Sequence, residues 1–406
     1  MSEKLTVKNV VNINKSTLSA KDNWSTLKYL DTGNITENQI DTLQIFQKGE
    51  KLPSRAKRKV EKGTIIYSTV RPNQKHFGYF DTHSNDLVVS TGFATLDVID
   101  PRINSKYLYY LLTQNSVISQ LQSIGENSTS SYPSIRPEDI GNLSFVFPDI
   151  DIQNKIADIL TSIDKKIQIN NQINQELEAM AKTLYDYWFV QFDFPDQNGK
   201  PYKSSGGKMV YHPELKREIP EGWGVEKLEK IANITMGQSP KGTSYNEVGE
   251  GMLFFQGSTD FGWRFPVARQ YTTEPSRIAE EDDILLSVRA PVGTLNIADT
   301  RCCIGRGLAA INSKVGANSY IFNVMQDFKK LFDKMNSVGT TFGSITKDDL
   351  YSLQLVYPPN ELLMRFDQSV KSFDREIKNR SRQNQGLTQL RDWLLPMLMN
   401  GQVKVE

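Results

Sequence analysis

Histidine and cysteine are scarce in this chain, 3 and 2 of 406 residues, and the two cysteines stand side by side as Cys302 and Cys303. No disulfide framework can be built from them, and a zinc site, which draws on those two residue types, is not expected. No apolar run approaches the roughly 18 residues that a membrane span requires, and the mean hydropathy is -0.46. The N-terminal stretch MSEKLTVKNVVNINKSTLS has no apolar core of a secretory signal. A soluble, cytoplasmic chain with no membrane partner is therefore expected. Charge of one sign is missing too: 48 Lys and Arg face 47 Asp and Glu, a net +1. Any nucleic-acid surface must then be local, or be completed by a partner.

Catalytic signatures are equally absent. Gly206-Gly207-Lys208 runs into Met209 without the earlier glycine of a phosphate-binding loop, and no G-x-G-x-x-G follows a strand. Tyr357-Pro358-Pro359-Asn360 has the wrong order for an amino-methyltransferase motif. A nuclease pattern can be forced onto Pro195-Asp196 with Glu214-Leu215-Lys216, and equally onto Pro148-Asp149 with Asp164-Lys165-Lys166, so it discriminates nothing. Cys302 and Cys303 beside Arg301 and Arg306 read as a buried pair in a strand or turn rather than an activated thiol. No catalytic residue and no metal ligand is assigned.

What is present is an internal repeat. A shift of 210 residues lays SIRPEDIGNLSFVFP (134–148) on SITKDDLYSLQLVYP (344–358) without a gap, and the match continues through Asp164 with Asp374, Asn174 with Asn384 and Leu184 with Leu394. Upstream, Thr64 to Val70 and Ile284 to Val288 read as strands, each followed by an arginine, Arg71 and Arg289. A second apolar strand follows, around Leu87 to Val89 and Leu308 to Ile311. Helical patterns come next, Ser105 to Ile124 and Ser319 to Met335, then a Gly/Ser/Thr loop. After the repeated motif, Ile156, Leu160, Ile163, Ile167, Asn170, Asn174, Leu177, Ala181, Leu184 and Trp188 keep a 4-3-4-3 spacing. Leu363, Phe366, Val370, Phe373, Ile377, Arg380, Asn384, Leu387, Arg391, Leu394 and Leu398 do the same. These are coiled-coil seams with polar middles.

The expected organisation is α+β: a mixed α/β globule over 1–148, a long helix over 149–190, a flexible Pro/Gly/Ser-rich link over 191–222, a second globule over 223–358 and a second long helix over 359–406. Antiparallel packing of the two helices as a coiled coil relates the halves by a pseudo-twofold. At about 1.5 Å per residue it holds the globules roughly 50 to 60 Å apart.

Each globule carries side chains suited to nucleic acid. From Lys48 to Lys62, seven basic residues face two acidic ones, and Lys51, Arg55, Lys57, Arg58 and Lys59 suit phosphate. Arg71, Asn73, Gln74 and Lys75 follow, of which Arg, Asn and Gln can make bidentate contacts to base edges. In the second half Gln238, Ser239, Lys241, Arg264, Arg269, Arg289 and Arg306 offer the same repertoire, interleaved with Phe261, Trp263 and Phe265.

The chain resembles a type I restriction-modification specificity subunit over essentially its whole length. The resemblance rests on the duplicated SIxxxDIxxLxFxFP segment with its long helix, on LPSRAKRK with IIYSTVRPNQKH, and on FFQGSTDFGWRF with ILLSVRAPVG and CCIGRGLAAI. One departure is at the start: Pro220-Glu221-Gly222-Trp223 opens the second half as the family does, whereas the first has only Lys4-Leu5-Thr6-Val7. The resemblance implies two target recognition domains in a non-catalytic subunit. Each would read one part of a split, asymmetric double-stranded DNA target, with the helical rod fixing the gap. It implies two methyltransferase subunits as partners, with S-adenosylmethionine bound on them, and restriction subunits that use ATP and Mg, so that no cofactor sits in this chain. A two-domain helical scaffold without DNA specificity is the competing reading.

Overall fold

The computed structural model describes residues 4–19, 21–82, 84–128, 132–337 and 344–405; the tips of the two Gly/Ser/Thr loops lie outside them. The chain forms two compact units, one of residues 1–168 with 386–406 and one of residues 169–385.

Each unit is built on the same four-stranded sheet. In the first, the order is Val11–Ile13, Phe93–Val98, Ile65–Ser68, Phe77–Tyr79; in the second, Ala232–Met236, Leu308–Ser313, Ile284–Ser287, Leu295–Ile297. Every pairing in both is antiparallel. The central strands are apolar on both faces: Ile65, Ile66 and Tyr67 are fully buried, as are Ile284, Leu285 and Leu286. A second sheet packs beside each, holding a parallel pair, Leu87–Ser90 with Thr26–Leu30 and Cys302–Ile304 with Met252–Phe255. The counterpart of Leu308–Ser313 is thus Phe93–Val98. Leu87–Ser90 matches Cys302–Ile304, so the sequence pairing of Leu87 to Val89 with Leu308 to Ile311 was off by one strand.

The repeated SIxxxD motif has a local physical role. Ile135 and Ile345 are buried, and the aspartate three residues after the helix-capping position accepts the capping residue's backbone N–H, Arg136 to Asp139 at 2.7 Å and Thr346 to Asp349 at 3.0 Å. This arrangement starts the short helices Pro137–Gly141 and Lys347–Tyr351. These lead into Ser144–Val146 and Gln354–Tyr357, which pair with Lys4–Thr6 and Gly224–Lys227. The first half therefore opens on the same element as the second although the Pro-Glu-Gly-Trp motif is missing. The bonds from Val7 N to Leu143 O and from Leu228 N to Leu353 O, 2.9 and 2.8 Å, fix the same entry.

The two long helices run Ile150–Tyr185 and Asn360–Met399. Seam positions Ile156, Leu160, Leu363, Phe366, Val370 and Ile377 are buried. Filling each with a branched or aromatic side chain contributes about 1.5 to 3 kcal/mol. The polar middle lies within the second unit. Asn170 is fully buried and donates to Gln383 and Asn384, both at 2.8 Å; Asn384 donates to Asn171 at 2.7 Å; Asn174 donates to Ser381 at 3.3 Å. Numbers rise along one helix as they fall along the other, so the pair is antiparallel. In the first unit Ile156 and Leu160 share a core with Leu398, and Arg391 meets Asp164.

Two expectations change. The pattern from Ser105 to Ile124 is two helices, Ser105–Leu112 and Asn115–Glu126, broken at Thr113 and Gln114. The segment expected to be a flexible link is ordered: the Asp193 carboxylate accepts from Ser204 N and Oγ, Met209–His212 pairs with Arg217–Pro220, and the Phe194 ring stacks on Tyr202 and Trp223 at 4.6 and 5.2 Å. Aromatic stacking and a hairpin outweigh the Gly and Ser content that suggested flexibility.

Candidate nucleic-acid interface

In the first unit the basic cluster forms the edge strand Ala56–Lys59 of the second sheet. Ala56 points into the core while Lys57 points to solvent, and the backbone edge is covered by the bonds from Leu18 N to Lys57 O and from Lys59 N to Ser16 O. The strand is thus capped against further pairing and free to present charge. Lys51, Arg55 and Lys57 are exposed and make no salt bridge among the described residues. Arg58 is half-buried; its Nε has no hydrogen-bond partner among the described residues, and burial lowers the guanidinium below its ordinary value. Lys59 is bonded to Asp22, whose carboxyl that lysine holds below the usual carboxylate range.

Beyond the strand Ile65–Ser68 the chain enters a one-turn helix, Pro72–Gln74, flanked by Arg71 and Lys75 in left-handed conformations with φ of 47° and 57°. Such geometry costs a non-glycine residue about 1 kcal/mol or more and persists where surroundings over-determine it. Here Arg71 N donates to Pro133 O at 2.9 Å, and the guanidinium lies 5.8 Å from the centre of the Tyr132 ring. Arg71, Asn73 and Gln74 are exposed. Lys75 is paired with Glu37 at 2.5 Å. Asn73 N is held by the Gln122 side chain at 3.2 Å.

In the second unit, Arg289 lines a cleft of about 450 Å³ with Gln256, Gly257, Ser258, Thr259, Ser287, Pro291 and Gly307, among others; Ser239 and Arg306 join it through Gln256, and Gln238 precedes Ser239 without lining it. Ser239 Oγ and the Gln256 amide are within 3.0 Å of each other, and Arg306 N donates to Ser239 Oγ at 3.3 Å. Close backbone approach makes this possible: a Cβ on Gly237 would sit 2.1 Å from Gly305 O, and one on Gly307 2.7 Å from Gln256 O. Arg289 and Arg306 are exposed and carry no salt bridge among the described residues. Lys241 lies at the periphery, 3.8 Å from Glu274, and Arg269 is engaged by Asp260 at 2.7 Å, which raises its guanidinium above its ordinary value. Gln256, Ser258 and Thr259 were not singled out from the sequence. Their signal was the segment FFQGSTDFGWRF, quoted for the resemblance as a whole, in which the polar run QGST directly follows an apolar strand.

Two sequence inferences are corrected. Arg264 does not face solvent: it is 6% exposed, paired with Glu178 at 3.1 Å and Asp374 at 2.9 Å, and stacked 3.8 Å above the Phe322 ring. Arg71 and Arg289 are not equivalent. Ser68 Oγ donates to Val70 O as Ser287 Oγ donates to Arg289 O, and Thr69 O accepts from Ile135 N as Val288 O accepts from Ile345 N. Arg289 therefore matches Val70, and Arg71 matches Ala290.

Cys302 and Cys303 are fully buried in a strand, and burial pushes the Cys302 thiol up to about 12. Among the described residues no group of His, Cys, Asp and Glu could hold a metal ion, and no helix is long and apolar enough to cross a membrane.

A family model described as "Type I restriction modification DNA specificity domain" matches residues 2–179 and 220–387. The HindI specificity subunit of Haemophilus influenzae is 24% identical over 92% of this chain and 94% of its own, and the MjaIX specificity subunit of Methanocaldococcus jannaschii is 26% identical over 93% and 84%. The crystal structure of a type I restriction-modification S subunit from M. genitalium is 16% identical and aligns over 98% of this chain and 96% of its own with a TM-score of 0.58. That last likeness concerns the fold.

Proposed function

The chain belongs to the type I restriction modification DNA specificity family, as a non-catalytic subunit that confers DNA specificity on a type I complex, and from that premise we propose how its parts divide the work. The globules over 1–148 and 223–358 each read one part of a bipartite, asymmetric target. The long helices over 149–190 and 359–406, with 191–222 between the halves, act as a ruler for the unspecified gap. The observation that carries this reading is the identical strand order of the two sheets, each joined through the same capped turn to a long helix.

Within the first globule Lys51, Arg55 and Lys57 are assigned to phosphate, with Arg58 and Lys59 contributing less because burial and Asp22 already engage them. Arg71, Asn73 and Gln74 are assigned to base edges, with Lys75 held back by Glu37. In the second globule Gln238, Ser239, Gln256, Arg289 and Arg306 are the readers and Lys241 and Arg269 lie at the rim. Two methyltransferase subunits, carrying S-adenosylmethionine, dock on the repeated segments in the cytoplasm, and ATP- and Mg-dependent restriction subunits join them. Their surfaces supply the positive charge that a chain of net +1 lacks.

Exchange of residues 223–358 for the matching region of another specificity subunit tests the assignment. With co-expressed methyltransferase subunits, methylation mapping should show one part of the target replaced and the other part and the gap retained. A swap that alters both parts overturns the two-reader arrangement.

A further inference from the structure

Asp164 and Asp374 occupy the same position of the repeat, 210 residues apart, and neither belongs to the surface assigned to DNA. Each accepts two hydrogen bonds of the same kind. Asp164 Oδ1 takes Arg391 Nη1 at 3.1 Å and its Oδ2 takes the Tyr110 hydroxyl at 2.6 Å. Asp374 Oδ1 takes Arg264 Nη2 at 2.9 Å and its Oδ2 takes the Ser319 hydroxyl at 2.7 Å. Both hydroxyls come from a helix of the globule, Ser105–Leu112 in one unit and Asn318–Ser337 in the other.

The arginines do not follow the repeat. Arg391 stands on the second long helix, at the position matched by Ala181 on the first; Arg264 stands on a loop of the second globule. Each nevertheless reaches a second acid that closes a three-way connection. Arg391 approaches Glu37 of the first globule at 3.7 Å, and Arg264 binds Glu178 of the first long helix at 3.1 Å. In each unit the aspartate, its arginine and their partners thus join the globule to both long helices. Two different routes to one charged junction, at a residue the repeat retains, are not what hydrophobic docking alone would need.

We infer that Asp164 and Asp374 are positioning residues that lock each recognition globule at one angle on the helix pair, so that they set which gap is accepted without touching the bases. The inference rests on the ruler reading above. Arg264 and Arg391 lie 6% and 19% exposed in these junctions, where a charged hydrogen bond resists reorientation more than apolar contact does, because contact is non-directional.

The test uses Asp164→Asn and, separately, Asp374→Asn in the full chain co-expressed with methyltransferase subunits, on DNA carrying the cognate half-sites at the native gap and at gaps one base pair shorter and longer. The expected result is an unchanged half-site sequence and a ratio of native-gap to altered-gap methylation that falls by roughly five- to tenfold, the size of an ordinary coupling between two sites. Equal loss on every gap, with the ratio unmoved, overturns the inference. Asp374→Asn leaves Arg264 buried with one acid and could unfold the second unit, which thermal melting of the purified complex reports. Asp164→Asn leaves Arg391 with Asp392 at 2.9 Å and Glu37 and decides the question by itself in that event. A parent protein that methylates all three gaps alike would instead defeat the ruler reading.

Discussion

Charge at single residues does different work according to what lies within about 3 Å of it. Lys57 and Lys59 sit two apart on one strand, yet Lys57 is exposed with no salt bridge among the described residues and Lys59 is bonded to Asp22. Each phosphate contact contributes roughly one to the slope of log affinity against log salt. Lys57→Ala should therefore lower that slope by about one, and Lys59→Ala by clearly less; mobility-shift titrations between low and moderate salt measure both, on target and non-target DNA alike. Cys302 offers a pH test. Burial raises its thiol from an ordinary value of 9.0 to about 12, so between those values the unfolded chain loses a proton that the folded one keeps. Its contribution is intact below pH 9 and falls by about 1.4 kcal/mol per pH unit as pH rises toward 12. Cys302→Ala should flatten that part of the alkaline decline in a series of urea titrations.

Along the long helices, the apolar seam supplies stability and the polar middle supplies register. Asn170 donates to Gln383 and Asn384 and accepts from Arg380 Nη1 at 3.4 Å. Asn170→Ala takes a partner from the half-buried Asn384 and Arg380 side chains, and the expected loss in denaturant unfolding is about 1 kcal/mol. Asn170→Leu should leave register less well specified, because the Asn384 and Gln383 side chains lose the donor that aligned them. Disulfide trapping of cysteines placed at positions 174 and 381 reports that slippage as a lower yield of cross-link.

At the scale of the whole molecule the proposed ruler makes a length prediction. Asn384 faces Asn171 and Asn174 faces Ser381, so seven residues inserted after Asn174 and seven after Asn384 are offset by four residues across the pair; both seams stay in phase, while these two contacts pass to inserted residues. They lengthen the pair by about 10 Å, close to three base pairs at about 3.4 Å each. Three base pairs also rotate the second half-site by about a third of a turn. Methylation should therefore move to a longer gap with reduced efficiency and unchanged half-sites. A folded double insertion that still accepts only the original gap leaves the helices a structural role alone.

The sequence by itself determined the features that periodicity and repetition encode: two halves, two long helices with polar interruptions at matching positions, and buried strands around Ile65 and Ile284. It also determined the absence of catalytic and nucleotide signatures. These are legible because the hydrophobic pattern of a helix or strand is written in neighbouring residues. Tertiary structure decided what depends on partners far along the chain. Lys4–Thr6 matches Gly224–Lys227 because both pair with the strand after the capped turn, not because their residues agree. Arg289 matches Val70 because their hydrogen-bond partners coincide. Arg264 reads like a DNA-facing arginine until Glu178 and Asp374, which lie 86 and 110 positions away, draw it into the interior. An arginine's role follows from which carboxylates surround it, and no local pattern carries that information.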